Sequence, residues 1–274
     1  MLNVAVEAAK EAGKFLKLNV GKVKEIHRKV GQATNLVTEI DRQSEQLIID
    51  IIKRHFPHHD FLAEEGGLRQ GESSAGGATK SEYRWIIDPL DGTVNYTHAF
   101  PCFAVSIGLE KNGEVILGVV YDPNFDEMFT AEKGRGAFMD GKRLSVSKAD
   151  VLIWSLLVTG FPYNIKDNPD HAIEHFVNFL KEGQAVRRMG SAAIDLAYIA
   201  AGRIDGFWEV TLNPWDVAGG ILLIAEAGGK VTDFLGNPYS IYGKSILASN
   251  GIIHEEMVRV LKKALDGGGS SVAV

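Results

Sequence analysis

Residues 85–96 read WIIDPLDGTVNY, an apolar run that ends in two carboxylates separated by Pro89 and Leu90. Trp85-Ile86-Ile87 has the character of a buried strand reaching its end, because apolar β-branched residues beside a proline suit a ladder that stops there. Asp88 and Asp91 then fall within one tight turn. Two carboxylates about 4 Å apart repel by roughly 1 kcal/mol in water and about 4 kcal/mol at the effective dielectric of a protein surface. A proton or a metal ion has to offset that repulsion.

Outward from this corner, the chain before it carries two helical patterns. One is the opening stretch through Leu18; the other runs from Asp41 to Phe56, with Leu47, Ile48, Ile51 and Ile52 on one face. Strand signals follow at Tyr83–Ile87, Phe103–Leu109, Val115–Tyr121 and Met128–Ala131, with a hairpin turn at Asp140-Gly141. After Ser147 strands and helices alternate: Leu156–Thr159, helix 170–182, Ala185–Arg188, helix 191–201, Ile204–Glu209, helix 215–227. The reading is an α+β unit over 1–147, an α/β unit over 148–265, and a frayed tail over 266–274. Gly66–Ser81, rich in glycine, reads as a mobile surface loop.

The 274 residues, 45% hydrophobic and 23% charged, have the composition of a globular protein with a sizeable core. The apolar stretch Val151–Val158 is far short of the roughly 20 residues that cross a bilayer, and the N-terminus lacks the layout of a signal peptide. A cytoplasmic location is expected. A lone cysteine, Cys102, agrees with a reducing compartment. Net charge −6, without a long basic block, argues against nucleic acid or anionic membrane as the main partner and suits bound cations.

Four places put carboxylates at the ends of apolar elements: Glu39 and Asp41, Glu64 and Glu65, Asp88 and Asp91, and Asp216. Each has a structural explanation. Thr38 and Asp41 have capping-box spacing, Asp216 suits the first turn of a helix, and Glu64-Glu65 suit a solvated loop. Asp88 and Asp91 fit such an explanation least, since two acids, a fixed φ and a Gly-Thr turn coincide. Hard oxygen ligands of this kind suit Mg²⁺, whose shell is completed by water and substrate phosphate. Gly92-Thr93 would offer a phosphate backbone N–H groups and a hydroxyl. Metal plus phosphate implies phosphoryl chemistry.

These segments resemble the inositol monophosphatase family. WIIDPLDGTVNYTHAFPCFAVSIGL is similar to the family's first signature and WDVAGGILLIAEAGG to its second. LVTEID and AEEG are similar to the flanking metal and water-activating motifs, and GSAAIDLAYIAAGRIDGFWE to its substrate-side segment. The resemblance runs from the first helix to about Leu261. It implies a layered αβαβα sandwich, a homodimer, lithium sensitivity and a small phosphate ester as substrate. It also implies two or three Mg²⁺ held by Glu64, Asp88, Asp91, Asp216 and the carbonyl of Leu90. Thr93, bonded to Asp41, would help a water lose its proton, with Glu64 also in the catalytic set. Asp91, Gly92 and Thr93 would contact substrate at the phosphate, and Gly190, Ser191, Ala192 and Glu209 would line a polyol pocket. Glu209 favours inositol 1-phosphate; fructose 1,6-bisphosphate, histidinol phosphate, adenosine 3′,5′-bisphosphate and NADP are alternatives. Lys29 is a weak equivalent for a basic residue the family places upstream of TEID. A silent metal- or polyol-binding regulator is the alternative of another class.

Rival motifs fall short. His171-Ala-Ile-Glu-His175 has an inverzincin spacing, but a zinc site needs a third protein ligand, and a solvated helix face is the simpler reading. His55, His58 and His59 flank Pro57 and read as surface residues. Asp88-Pro-Leu-Asp91 has one residue too many between its acids for an aspartyl-phosphate motif. Gly243-Lys244-Ser245 lacks the first glycine of a P-loop, since that position is Pro238. Gly134-Arg-Gly136 lacks the third glycine of a dinucleotide fingerprint, and Cys102 reads as a packed thiol.

Overall fold

The structure, a computed structural model, describes residues 1–22, 26–28, 36–72 and 81–266. In chain order, helix α1 (Leu2–Asn19), strands β1 (Ile26–Arg28) and β2 (Leu36–Thr38) and helix α2 (Glu39–His55) precede β3 (Asp60–Ala63), β4 (Gly67–Arg69) and β5 (Tyr83–Asp91). Helix α3 (Thr93–Thr97) leads to β6 (Ala104–Lys111), β7 (Glu114–Asp122), β8 (Glu127–Glu132), β9 (Gly136–Met139) and β10 (Lys142–Arg143). Then come β11 (Leu156–Thr159), α4 (Ala172–Glu182), β12 (Ala185–Arg187), α5 (Ala192–Ala200), β13 (Gly206–Val210), α6 (Pro214–Glu226), β14 (Lys230–Thr232), β15 (Ser245–Ser249) and α7 (His254–Asp266).

The larger sheet has the order β10-β9-β8-β7-β6-β5-β3-β4 and the smaller one β12-β11-β13-β15-β14. Only β3–β5 is parallel in the first; in the second β11 runs parallel to β12 and β13. Helices α1 and α2 cover one face of the large sheet, α6 covers the other, α5 packs between α6 and the small sheet, and α4 and α7 pack together on the far side. This is the expected αβαβα layering.

Sequence spacing explains the layers. In α1, Ala5, Ala8, Ala9, Ala12 and Leu16 recur at helical period and are fully buried, so two helices approach closely with little side-chain bulk between them. Strand β5 alternates: Trp85 and Ile87 enter the core under α1 and α2, whereas Ile86 enters the central one with α5 and α6. Helix α6 meets β6 and β7 almost backbone to backbone. A Cβ on Gly108 would come 2.6 Å from the Ala218 methyl, and one on Gly118 would collide with the Gly219 carbonyl.

Several expectations are corrected. β5 does not stop at Ile87 but continues to Asp91 through a shift in register between Asp88 and Asp91. The stretch expected to be a loop from Gly66 opens with β4, paired antiparallel to β3, while 73–80 lie outside the described residues, as do Lys29 and 267–274. Strands β1, β2, β3, β4, β14 and β15 and helix α7 are additions to the sequence reading. His175 is 1% exposed, not on a solvated face, whereas His171 is exposed. His59 is half-buried, stacked on Phe56 and Tyr83 and hydrogen-bonded to the Trp85 indole N–H at 3.1 Å.

Candidate active site

The register shift in β5 answers why Asp88 and Asp91 bracket a proline. In regular alternation residues three apart face opposite sides of a sheet. Leu90, although even-numbered, is buried with Trp85 and Ile87 in the core under α1 and α2. The irregularity has therefore reversed the parity, and both acids face the central layer, where α5 and α6 begin. Pro89 suits such an interruption because it has no N–H to offer the ladder. Its carbonyl accepts a hydrogen bond from the Ser44 hydroxyl of α2 at 2.9 Å, and Leu90 N–H donates to Asp88 Oδ1 at 3.0 Å.

Gly92, at φ +94°, turns the chain into α3, a conformation natural to glycine. A Cβ there would come 2.9 Å from the Cys102 carbonyl and 3.2 Å from that of Gly190. Thr93 follows, 6% exposed, its hydroxyl 3.2 Å from Asp41 Oδ1 and 3.1 Å from the Leu90 carbonyl. The hydroxyl has one proton for two acceptors, so whichever acceptor is taken, a lone pair stays available to a third group. Asp41, 1% exposed, lies in the first turn of α2. The side chain of Thr38, the other half of the expected capping box, lies outside the described residues.

The remaining acids arrive from other elements. Glu64 follows β3, with its N–H on the Ile87 carbonyl at 3.2 Å. Its turn is fixed from α2: Glu45 accepts hydrogen bonds from the N–H groups of Glu65 and Gly66 at 2.8 and 3.2 Å and pairs with Arg69 at 2.9 Å. Asp216 is the N3 residue of α6 and completes a capping box, accepting the Asn213 N–H at 2.6 Å. The structural explanation and the functional one both hold at this position.

Together the acids form one electrostatic unit. Burial holds the Asp88 carboxyl well above the ordinary carboxylate range, and the charges of Glu64, Asp91 and Asp216 push it further. Burial likewise raises Asp216, with Glu64 and Asp91 adding to it. Asp91 is pushed up to about 6 by burial, against hydrogen bonds that favour its ionised form. Four mutually repelling acids are oxygen donors whose shifts a divalent cation would reverse. Among the described residues, no group of three or more acid, imidazole or thiol side chains is spaced to hold a metal ion.

Asp91 also joins β5 to the start of α5. Its Oδ2 accepts from the Ser191 hydroxyl and from Ala193 N–H, both at 2.6 Å. Ser191, the N-cap of α5, thus meets Asp91 directly, and the Ala192 N–H also favours the ionised form of Asp91. Asn95 reinforces the junction, donating to the carbonyls of Cys102 at 2.7 Å and Met189 at 2.8 Å. Glu209, on β13, is 8% exposed and lies so close to Gly160 that a Cβ there would strike its carboxylate. Burial, then the charge of Asp216, pushes Glu209 up to about 8, with Arg188 opposing.

Sequence reasoning missed Glu45, Asn95 and Asp195. Asp195, 1% exposed on α5, has an Oδ1 without a hydrogen-bond partner. Glu45 and Asn95 act on backbone groups distant in sequence, which leaves no local signature; Asp195 could have been noticed as an acid inside the apolar helix Ala192–Ala200.

The model of the inositol monophosphatase family matches residues 1–266. The inositol-1-monophosphatase of Mesorhizobium japonicum is 41% identical over 265 residues, 97% of each chain. Nus factor SuhB of Escherichia coli K12 is 40% identical over 265 residues, again 97% of each. The solved inositol monophosphatase of Anabaena superposes with a TM-score of 0.84 at 44% identity, covering 96% of this chain and 95% of that one. The chain therefore belongs to the inositol monophosphatase family and is a phosphoric monoester hydrolase.

Proposed function

We propose that this chain hydrolyses inositol 1-phosphate to myo-inositol and phosphate, using two or three Mg²⁺ held by Glu64, Asp88, Asp91, Asp216 and the Leu90 carbonyl. Metal dependence is typical of the family; the identity and number of the ions belong to the proposal. The observation that carries it is the convergence of acids from β3, β5 and α6 beside the Thr93–Asp41 hydroxyl–carboxylate pair. When bound, the metal supplies Lewis acidity, making water more acidic and drawing charge from the phosphoryl oxygens.

The chain's own residues supply the rest. Thr93 accepts a proton from the attacking water as its own hydroxyl proton moves to Asp41 Oδ1. Glu64 orients the attacking water, and the Glu45 clamp holds the turn that carries it. The N–H groups of Gly92 and Thr93 hold the phosphate, and Glu209 accepts hydrogen bonds from polyol hydroxyls at the pocket lined by Gly190, Ser191 and Ala192. Since Ser191 is engaged with Asp91, it connects that pocket to the ligand set.

Fructose 1,6-bisphosphate, histidinol phosphate, adenosine 3′,5′-bisphosphate and NADP are the competing substrates within the same chemistry. A panel of these esters assayed with Mg²⁺ and with EDTA tests the reading. Inositol 1-phosphate should have the highest kcat/KM, EDTA should abolish release, and a higher value for another ester would reassign the substrate. A homodimer, lithium inhibition and a division into units 1–147 and 148–265 accompany the proposal; sedimentation, a lithium titration and limited proteolysis near Ser147 check them. No described helix is long and apolar enough to cross a membrane.

A further inference from the structure

Away from the catalytic acids, a cavity of about 320 Å³ opens where the large sheet meets the segment leading into β15, lined by Ser81, Glu82, Arg84, Glu110, Asn112 and Tyr242. Arg84 and Glu110 stand opposite each other on β5 and β6 and so share a face of the sheet. By strand alternation it is the face that carries Ile86 and Asp88, with Asp88 four residues further along β5, about 13 Å away at the rise of a strand. None of these lining side chains enters the hydrolysis proposed above.

Each charge here is already matched. Arg84 Nη1 lies 3.3 Å from Glu110 Oε2 and donates to the Tyr242 hydroxyl at 3.0 Å, and that hydroxyl is 3.1 Å from both Glu110 oxygens. At the rim, Glu82 lies 3.9 Å from Lys111. Two cations against two carboxylates leave no net charge with which to draw in an ion. Hydrogen-bonding capacity is left over, however. Among the described residues, the Arg84 Nε–H, shut off from solvent, and the Nη2 N–H groups have no acceptor, since only Nη1 is engaged. The carboxylate of Glu110, buried at 5% exposure, still has lone pairs to offer.

Spare donors beside spare acceptors match a vicinal diol: one hydroxyl accepts from the guanidinium and its neighbour donates to the carboxylate, both bonds strengthened by the protein's charge. Ser81 and Asn112 add neutral donors and acceptors. The exposed Tyr242 ring offers an apolar surface to the C–H face of a small ring. An ionic ligand, by contrast, would have to part Arg84 from Glu110 to find a counter-charge. The volume is at the low end for ligand cavities and suits one small molecule. We infer that this cavity is a second ligand site, separate from the catalytic acids, for a small neutral polyol of the monosaccharide or cyclitol class.

The test is titration calorimetry of the full chain with D-glucose and with myo-inositol, using sulfate and glycine betaine as ionic controls. At least one of the two neutral rings should bind saturably, and the ionic controls should not. Tyr242→Ala should raise the Kd about tenfold or more, as should the pair Arg84→Gln with Glu110→Gln, which keeps the cavity neutral while removing the ion pair. Glu209→Gln, at the hydrolytic site, should leave the Kd unchanged. Thermal melting checks that the variants fold; if Tyr242→Ala does not, Asn112→Gly removes a lining amide while keeping the left-handed turn at φ +50°. Binding lost in Glu209→Gln and kept in the cavity variants would overturn the inference by placing the ring at the hydrolytic site. Sulfate or betaine binding more tightly than either ring, weakened by the cavity variants, would overturn the ligand class. Absence of saturable binding by both rings would overturn the site and leave the Arg84–Glu110–Tyr242 contacts as a tie between the sheet and the segment before β15. None of these readouts depends on turnover, so they stand or fall apart from the hydrolase reading.

Discussion

Asp88 and Asp216 face the same volume from opposite structural backgrounds. Asp88 lies inside a buried strand, where the Leu90 N–H favours its negative charge but burial and the neighbouring acids outweigh it. Asp216 stands in the first turn of α6, where the capping box gives it a local partner, the Asn213 N–H. Burial disfavours both charges, and only Asp216 stands where a helix N-terminus gives an acid a capping role as well. The difference teaches where function shows in a sequence: an acid out of place is conspicuous, whereas an acid in a rewarded position is hidden by its own good structural reason.

Substitutions can break this comparison, beginning with turnover. Asp91→Asn keeps an oxygen for Ser191 and Ala193 but removes a charge from the cluster, and it should lower kcat about 10³-fold or more with the fold intact. Near-wild-type kcat in a steady-state assay would contradict the ligand assignment. Thr93→Ala should lower kcat by roughly 10²–10⁴ with a much smaller change in KM, since it removes a proton-handling group and leaves the backbone contacts to phosphate.

Stability without metal separates the two acids directly. In EDTA at pH 8, Asp88→Asn should raise the free energy of unfolding because it removes a buried carboxyl whose ionisation desolvation and the neighbouring acids oppose. Asp216→Ala gains the same relief but loses a cap worth about 1 kcal/mol, so it should stabilise less or destabilise. Equal effects in denaturant titrations would mean that the cap contributes nothing.

The smallest effect is the pH slope set by Glu209. Folded protein holds that proton up to about pH 8, against 4.5 for an ordinary glutamate. The folded state therefore binds more protons in this window, and metal-free stability should fall as pH rises through it. Glu209→Gln should make the fall in Tm shallower between pH 5 and about 9 in EDTA; an identical slope would show that the carboxyl is ionised in the folded protein.

Much of this architecture is legible from residue patterns. The two opening helices, the antiparallel strands up to the Asp140-Gly141 turn and the alternation after Ser147 appear because their periodicity extends over enough residues. The short β3, β14 and β15 are held by neighbours, and no local pattern announces them. At the site, Asp88 and Asp91 stand out, but the parity reversal that aims them at one volume does not, because it depends on Leu90 being drawn into the core under α1 and α2. His175 illustrates the opposite limit: an imidazole with neither ring nitrogen hydrogen-bonded lies against Phe234, which no rule of polarity would place there.

The close seating of α6 on β6 and β7 has a further consequence. With Gly108, Gly118 and Gly219 at the contact, main chain itself acts as the gauge that sets how far Asp216 stands from the strand acids. Tolerance there is finer than a methyl group, so a change as mild as Gly118→Ala, in a strand to which no site residue is assigned, would detune the spacing of these acids from behind.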